Sequence, residues 1–317
     1  MVMKAPIVIL AYNREDKLKK CIGSLMKTDG HETAEVFVFS DGIRDMADKI
    51  QTERVNEVRR FLNELKSGHS FGGLHVTERP ENIGLAENVI SGVSEIIDKY
   101  GKVIVLEDDL TVTGDFLTYI NGALDFYTND EKVWSVTGFS EPLKALDSYD
   151  HDIYMGYRGC SYGWGTWKDR WDTVDWEMKD FDRIIYDKKL RKQFERGGSD
   201  MTRILKDQKA GIVNSWAIRW CLSQSMQDKY TVYPVRSFVE NTGVDGSGTH
   251  QRLSKHVNDN RHTYGETVRF EHLEPDDRIS REFYRNHSDI IKRALRSLNP
   301  TGIKRQIRRA VDAATGT

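Results

Sequence analysis

The sequence of 317 residues contains few cysteines and few prolines. Its three cysteines, Cys21, Cys160 and Cys221, are odd in number and far apart, which is typical of neither a disulfide framework nor a zinc site. Six prolines exclude long proline-rich linkers. A reducing cytoplasm is therefore the expected environment.

Long apolar runs are also missing, since none approaches the ~20 residues of a membrane span. The amino terminus lacks the pattern of a signal peptide, because Lys4 and Pro6 lead straight into a strand-like run. Acidic and basic residues nearly cancel, and the net charge is −2. Since whole-chain binding of nucleic acid usually requires a basic surface, no nucleic-acid partner is expected.

The first third of the chain alternates short apolar runs with longer helical patterns. The β-branched apolar runs predict strands covered on both faces, and apolar residues spaced three or four apart predict helices between them. This order favours an α/β fold with a mostly parallel sheet flanked by helices. The predicted strands are residues 6–12, 36–39, 74–76 and 103–106, and the predicted helices are residues 15–26, 47–65 and 85–97.

Beyond residue 112 the pattern is less regular. Residues 154–176 are rich in Gly, Trp and Tyr and predict no regular element. The remaining predicted elements are helices at 115–127, 200–210 and 215–227 and strands at 133–138 and 230–233.

Three consecutive acids, Glu107, Asp108 and Asp109, follow the fourth predicted strand. Parallel sheets bind ligands outside the carboxyl ends of their strands, so these acids stand where a ligand is expected. The three carboxylates repel one another and have no basic neighbour in the local sequence. A divalent cation would relieve that repulsion and bridge to phosphate oxygens. A single Asp at a strand end is more often a turn residue, but three acids here favour a cation site.

The first strand is not followed by a glycine-rich phosphate loop. Neither Gly-x-Gly-x-x-Gly nor the P-loop pattern is present, and Tyr12, Asn13 and Arg14 stand in its place. This argues against a dehydrogenase or a P-loop enzyme. It leaves a nucleotide site that holds phosphates through a metal rather than through the amides of a helix terminus.

Residues 159–171 interleave glycines with aromatic residues. Aromatic faces stack on sugars and bases, and glycines allow a loop to approach a substrate closely. Trp164, between two glycines, is predicted to form a wall of the substrate site. Trp167 and Trp171, four residues apart, are predicted to lie in the core, which is the usual place for Trp.

Four segments in a fixed order resemble nucleotide-sugar-dependent glycosyltransferases with the GT-A fold, especially family 2. They are AYNRED after the first strand, FSDG after the second, ENIGLAENV at the third helix and VIVLEDDL at the fourth strand. LEDDL is also similar to N-acetylglucosaminyltransferase I. GWGTWKDRW and DGSGTH resemble bacterial family 2-like enzymes that build surface polysaccharides. The ordered set carries the resemblance, which spans about residues 4–250.

The resemblance implies a GT-A catalytic domain over residues 1–253, with a nucleotide-sugar half at 1–112 and an acceptor half at 113–253. Residues 254–317 are expected to form a carboxy-terminal extension with a basic amphipathic helix. Such a helix can lie on an anionic membrane surface, at the inner face where lipid-linked acceptors are found. A solvated helix packed on its own domain explains the same pattern equally well.

Carried over to this sequence, the resemblance implies a nucleotide pocket at the ends of the first three strands. Tyr12 and Arg14 are expected near the base, and Asp41 is expected to accept a hydrogen bond from it. Tyr12 could instead be a packing residue. The other residues expected to line the base and ribose pocket are Asn82, Leu85 and Asn88, of which both Asn could equally be turn or cap residues.

The resemblance also assigns the three acids. Glu107 is expected to face the donor sugar, Asp108 to approach the ribose or donor sugar, and Asp109 to ligate Mn²⁺ or Mg²⁺ on the diphosphate. His250, after a glycine-rich segment, is a further candidate metal ligand because histidine commonly binds metals. A histidine in a loop is also often only solvated.

An inverting transfer needs a carboxylate that takes the proton of the acceptor hydroxyl. Family 2 enzymes carry it in a pair of acids at the start of a late helix, and residues 200–220 contain no such pair. Asp207 is the nearest candidate and Asp200 the next. Asp200 could instead cap a helix, Asp207 could be a surface residue, and Ala217 stands where an acid is expected.

The resulting hypothesis is a metal-dependent inverting glycosyltransferase. It moves a sugar from a nucleoside diphosphate sugar, with UDP favoured, to a glycan or lipid-linked acceptor in surface polysaccharide synthesis. One alternative is a sugar-phosphate nucleotidyltransferase, which usually has a glycine-rich basic loop that AYNRED lacks. Another is a non-catalytic carbohydrate-binding protein of the same fold, which would explain the uncertain base.

Overall fold

The computed structural model describes residues 4–243 and 261–288. Within these ranges the strands form one large sheet of eight and a small sheet of two. The strands are β1 (Ile7–Ala11), β2 (Glu35–Ser40), β3 (Gly73–Glu78), β4 (Lys102–Glu107), β5 (Leu110–Val112), β6 (Val133–Thr137), β7 (Ile153–Gly156), β8 (Trp164–Trp167), β9 (Tyr230–Pro234) and β10 (Val239–Asn241). The helices are α1 (Glu15–Leu25), α2 (Lys49–Leu65), α3 (Gly84–Tyr100), α4 (Phe116–Phe126), α5 (Lys168–Trp171), α6 (Phe181–Tyr186), α7 (Lys188–Phe194), α8 (Asp200–Lys209), α9 (Trp216–Met226) and α10 (Asp277–Asn286).

The large sheet has the strand order β3-β2-β1-β4-β8-β6-β9-β7. Strands β1 to β4 are mutually parallel, and β6 and β9 run in the same direction as β4. Among the described strands of this sheet, only β8 and β7 run the opposite way. The predicted mostly parallel α/β sheet is therefore confirmed. As a consequence, the carboxyl ends of β1, β2, β4 and β6 lie at one edge.

Strand β1 shows why its sequence is apolar at every position. Ile7 and Ile9 point into a core cluster with α1, α2 and α4, whereas Val8 and Leu10 point into a second cluster with α3. Successive side chains of a strand face opposite sides, so a strand between two helical layers must be apolar on both. All four side chains are buried.

The second core cluster contains a group of packed tryptophans. The ring of Trp164 stacks on those of Trp171 and Trp216, with centroids 6.0 and 5.1 Å apart, and lies 5.5 Å from that of Trp220. Trp164 is only 1% exposed. The prediction that it forms a wall of the substrate site is therefore wrong, because β8 is a central strand and directs this side chain into the core. The core positions predicted for Trp167 and Trp171 are confirmed.

Residues 261–288 pack against the part of the chain that follows β5. Ile279 and Phe283 of α10 are buried beside Tyr233 of β9. The hydroxyl of Tyr127 donates a hydrogen bond of 2.5 Å to the carbonyl oxygen of Glu271. In the described ranges no helix is long and apolar enough to cross a membrane. The predicted basic helix, at 288–314, lies outside the described residues except for Ser288.

Replacing Phe283 with Ala is expected to lower the free energy of unfolding by about 3 kcal/mol, because it removes a buried aromatic side chain. Denaturant unfolding followed by tryptophan fluorescence measures the change. The control is Arg285→Ala on the exposed side of the same helix, which should change stability by less than about 0.5 kcal/mol. Equal effects of the two substitutions would contradict the packing of α10.

Candidate active site

A cavity of about 400 Å³ opens at the carboxyl edge of the large sheet. The ends of β1, β2 and β4 form one side, and the segment before β8 with the start of α9 forms another. The structure brings together nine residues that the sequence assigned to the site. They are Tyr12, Arg14, Asp41, Asn82, Leu85, Asn88, Glu107, Asp108 and Asp109.

Asp41 holds the loop before α3 against the end of β2. Its Oδ1 accepts hydrogen bonds of 2.9 Å from the backbone amides of Gly42 and Ile83. Its Oδ2 accepts one of 2.9 Å from Asn82 Nδ2 and one of 3.0 Å from the amide of Gly84. A carboxylate offers about four acceptor positions, so all of them are in use. The predicted hydrogen bond from a nucleotide base would have to displace one of these four hydrogen bonds. The main role of Asp41 in this structure is therefore to position the cavity wall.

The side of the cavity next to this loop is built from α3 and the end of β1. Gly84 has a φ of +78°, a left-handed conformation that favours glycine, and Leu85 after it is 45% exposed. Across from them, the guanidinium of Arg44 lies 5.6 Å from the ring centroid of Tyr12. The buried hydroxyl of Tyr12 has no hydrogen-bond partner in the described parts of the chain. An aromatic ring with an unsatisfied hydroxyl is suited to a planar polar ligand.

The burial and hydrogen bonds of Asn88 indicate a structural role. It is 2% exposed, and its Nδ2 donates a hydrogen bond of 3.2 Å to the carbonyl oxygen of Phe39 in β2. Its Oδ1 accepts one of 3.2 Å from Arg79 Nε. These bonds tie α3 to β2, so Asn88 supports the pocket wall as well as lining it.

Arg14 supplies the cation that the sequence around the three acids lacks. Its Nη1 donates a hydrogen bond of 2.9 Å to Asp109 Oδ2, and its Nη2 donates to Asp108 Oδ1. The sequence indicated no basic neighbour in the segment around the acids, and the partner comes instead from the end of β1. Arg14 also lies with the acids rather than on a base-binding wall.

The pKa values of the acids show how crowded this corner is. Burial, then the charges of Asp109 and Asp108, raise the pKa of Glu107 to about 8. Burial also raises the pKa of Asp108 to about 6, although the charge and hydrogen bond of Arg14 oppose the rise. One arginine therefore does not neutralise three carboxylates, and the raised pKa favours the protonated form of Glu107 more than in an ordinary glutamate. A cation placed here would favour the ionised acids.

The small two-stranded sheet brings Thr242 and Gly243 against Asp109. Strand β10 pairs with β5, and Thr242 donates two hydrogen bonds, of 2.8 and 2.9 Å, to the carbonyl oxygen of Asp109. At Gly243 a Cβ atom would come within 2.3 Å of Asp109 Oδ2, so a larger residue there would have to displace this carboxylate. His250, the other predicted metal ligand, lies outside the described residues.

Asp108 and Asp109 offer the hard oxygen donors that Mg²⁺ and Mn²⁺ prefer. In residues 4–243 and 261–288 no group of three or more side chains is arranged to hold a metal by itself. The residues therefore fit a cation held by one or two carboxylates and completed by phosphate oxygens and water, as is common for Mg²⁺. Because Arg14 bonds to Asp109 Oδ2, it would have to share or release that oxygen.

Neither predicted catalytic base lines the cavity. Asp200 is 8% exposed and bonds to Arg158 at 2.8 and 3.2 Å. Asp207 bonds to Arg203 at 3.1 Å on its own helix, α8. Both predictions are corrected, because the sequence shows that α8 is a helix but not which way its acidic side chains point.

Several lining residues escaped the sequence predictions. Ser215 caps α9 and its Oγ accepts a hydrogen bond of 3.3 Å from the amide of Ile218. The sequence signal for this part of the site was a helix start with a capping residue after a loop. It was overlooked because no acidic residue stands there. The additional lining residues include Asn13, Arg44, Ser161, Tyr162, Asn214, Ser215, Trp216, Ala217 and Asn241.

Comparison with family models agrees with the site's location. The model of glycosyl transferase family 2 matches residues 7–130, and the model of the GNT-I family matches residues 95–205. The two ranges overlap at the acids that follow β4. These matches confirm the resemblance to family 2 glycosyltransferases and to the N-acetylglucosaminyltransferase I group.

Individual relatives are distant. An alpha-1,3-mannosyl-glycoprotein 2-beta-N-acetylglucosaminyltransferase of Arabidopsis thaliana is 24% identical over 181 residues, which cover 54% of this chain and 39% of the relative. The structure of S. aureus TarS 1-349 shares 11% identity and a TM-score of 0.45, covering 76% of this chain and 61% of that one. The apo form of glycosyltransferase GlyE from Streptococcus pneumoniae TIGR4 has a TM-score of 0.32 and 12% identity, covering 72% and 44%.

Replacing Asp41 with Asn is expected to lower the free energy of unfolding by about 1–3 kcal/mol, because an amide cannot accept all four hydrogen bonds. Thermal and denaturant unfolding measure the change. Asp45→Asn, an exposed position in the following loop, is the control and should be nearly neutral. An Asp41→Asn protein as stable as the wild type would show that these four bonds do not hold the wall.

Proposed function

We propose that the chain is a glycosyltransferase that uses a nucleoside diphosphate sugar, with UDP as the favoured nucleotide. The observation that carries the proposal is one concave site at the carboxyl edge of the sheet, with an aromatic and amide wall and a cluster of acids. The family 2 match at residues 7–130 includes most of the residues that line it.

The nucleotide is proposed to lie with its base on the wall formed by Tyr12, Arg44 and Leu85. The ring of Tyr12 and the guanidinium of Arg44 can both stack on a base, and the Tyr12 hydroxyl has no protein partner in the described ranges. Asn82 and the loop held by Asp41 would then face the ribose. This arrangement directs the diphosphate toward the acids after β4.

A divalent cation, Mn²⁺ or Mg²⁺, is proposed to bind at Asp109 with Asp108 beside it. When bound, such a cation neutralises charge that develops on the leaving nucleoside diphosphate. Arg14 lies against both carboxylates and is a second positive group within reach of the phosphates. Glu107 is proposed to face the donor sugar.

The transfer is proposed to invert the anomeric carbon. The acceptor hydroxyl attacks that carbon from the face opposite the diphosphate, the bond to the diphosphate oxygen breaks, and a protein carboxylate takes the hydroxyl proton. The acceptor is proposed to be a glycan or lipid-linked sugar in surface polysaccharide synthesis. The basic sequence at 289–317 is proposed to contact an anionic membrane surface that presents such an acceptor.

Purified protein is expected to release nucleoside diphosphate from at least one nucleotide sugar in a panel, and Mn²⁺ or Mg²⁺ should be required. Asp109→Asn should lower turnover by about 100-fold or more, since the lost charge acts mainly in the transition state. The matched control is Asp98→Asn, an exposed acid of α3, which should be unchanged.

The assay also separates the alternatives. Pyrophosphate release would indicate a nucleotidyltransferase, and sugar binding without any release would indicate a non-catalytic carbohydrate-binding protein. Full turnover by Asp109→Asn would refute the metal assignment while leaving the glycosyltransferase proposal in place.

A further inference from the structure

A second cavity, of about 230 Å³, adjoins the first. The two share Ser161 and Tyr162 from the segment before β8, and Ser215 and Ala217 from the start of α9. It is smaller than typical pockets for drug-sized ligands, which hold about 300–1,000 Å³, and suits a single ring. Its other lining residues are Phe139, Glu141, Arg158, Gly159, Cys160, Ile204, Ile218, Cys221, Tyr233 and His287.

Glu141 reaches this cavity from the carboxyl end of β6. Because β6 runs in the same direction as β4, Glu141 and Asp109 follow strands that end at the same edge of the sheet. One antiparallel strand, β8, lies between them, so the two strand axes are about 10 Å apart. Tyr162, just before β8, stands between the cavities, and its ring packs edge-on against Phe139 at 5.0 Å.

The backbone around Glu141 is held firmly. Its amide donates a hydrogen bond of 3.2 Å to the hydroxyl of Tyr154, and the neighbouring Ser140 donates one of 2.8 Å to the carbonyl oxygen of Val235. His287 Nε2 lies 3.1 Å from Glu141 Oε1. The side chain of Glu141 is 19% exposed and that of His287 is 22% exposed, so both remain open to the cavity. In the described residues Glu141 Oε2 has no hydrogen-bond partner, which leaves it available to a ligand hydroxyl.

Three of the four other acids that line the first cavity already have partners among the described residues. Asp41 accepts four hydrogen bonds, and Asp108 and Asp109 bond to Arg14. Glu107 lies beside them at the end of β4. On the described surface of the second cavity, Glu141 is the one carboxylate.

We infer that the second cavity is the acceptor site and that Glu141 is the catalytic base. The inference rests on the proposed glycosyl transfer, and it replaces the acid that is missing at Ala217 in α9 with Glu141, which follows β6. Glu141 Oε2 takes the proton of the acceptor hydroxyl while the oxygen of that hydroxyl forms a bond to the anomeric carbon. The bond to the diphosphate breaks, the nucleoside diphosphate leaves with the electron pair, and Glu141 later loses its proton to solvent.

His287 is a positioning residue in this account. With its proton on Nε2, His287 donates a hydrogen bond to Oε1, which would fix the carboxylate and leave Oε2 for the acceptor hydroxyl. The ring of His287 is in turn held against Phe283 of α10, with centroids 4.7 Å apart. Phe139 and Tyr162 line the same cavity and can supply aromatic surface to the apolar face of a sugar, so the acceptor group in this inference is a sugar hydroxyl.

The test compares the wild type, Glu141→Gln and the exposed control Glu131→Gln. Transfer is measured from the most active donor of the nucleotide-sugar panel to methyl glycosides of glucose, galactose, mannose and N-acetylglucosamine. Glu141→Gln should lower kcat by about 100-fold or more, whereas the KM for the donor and the Kd for UDP should stay within about two-fold. Glu131→Gln should match the wild type.

A second pair of variants tests the positioning role. His287→Ala should lower kcat by about 10-fold or more, because a misplaced carboxylate loses its alignment with the hydroxyl. His287→Gln, whose amide can donate the same hydrogen bond, should recover most of the loss. Equal loss in both variants would show that His287 has only a structural role.

The outcomes separate the inference from the function on which it rests. If the wild type transfers sugar and Glu141→Gln does so at a similar rate, the assignment of Glu141 is overturned and the proposed function stands. If the wild type releases no nucleoside diphosphate from any donor, both are overturned. Loss of UDP binding in a folded Glu141→Gln protein would also contradict the assignment, because it would place Glu141 in the donor site.

Discussion

The site depends on the accumulation of negative charge at the end of β4. Three carboxylates occupy consecutive positions there, and burial prevents water from screening them fully. Arg14 neutralises part of that charge from the end of β1, and burial together with the two neighbouring carboxylates raises the pKa of Glu107. A cation with the phosphates of a donor, as proposed above, would offset the remaining repulsion between these carboxylates.

The surrounding structure fixes the backbone around these acids. Asp41 fixes the loop before α3, and the pairing of β5 with β10 lays Thr242 and Gly243 along Asp109. Both arrangements connect segments that are distant in the sequence. The second places backbone atoms of Thr242 and Gly243 next to Asp109, so the binding of a cation would require rearrangement chiefly of Arg14.

The nucleotide half of the site could be predicted from the sequence because its strands are parallel and buried on both faces. Such strands appear as continuous apolar runs, and the polar residues that follow them must meet at one edge. The predicted elements at 115–127, 133–138 and 200–233 also correspond to α4, β6, α8, α9 and β9. The local sequence does not show which strands are neighbours in the sheet. The hydrogen bonds between Arg14 and the acids were therefore not predicted.

The acceptor half was harder to predict for physical reasons. Strand β8 has the sequence WGTW within a glycine-rich segment, so it resembled a substrate loop, although it is a central strand whose Trp164 lies in the core. The base was sought on a helix because of the family resemblance, and helical periodicity does not show that Asp200 faces Arg158. Glu141 belongs to a loop after a correctly predicted strand, but its partner His287 is 146 residues away.

The central claim is that the acids after β4 hold a cation that in turn binds the donor's diphosphate. Calorimetric titration of the wild-type protein with UDP, in Mn²⁺ and then in EDTA, tests it most directly. The account predicts that Mn²⁺ lowers the Kd for UDP by about 10-fold or more, the effect of roughly 1.4 kcal/mol of added interaction. The same Kd in both conditions would contradict it, because the diphosphate would then be held by Arg14 and the backbone alone.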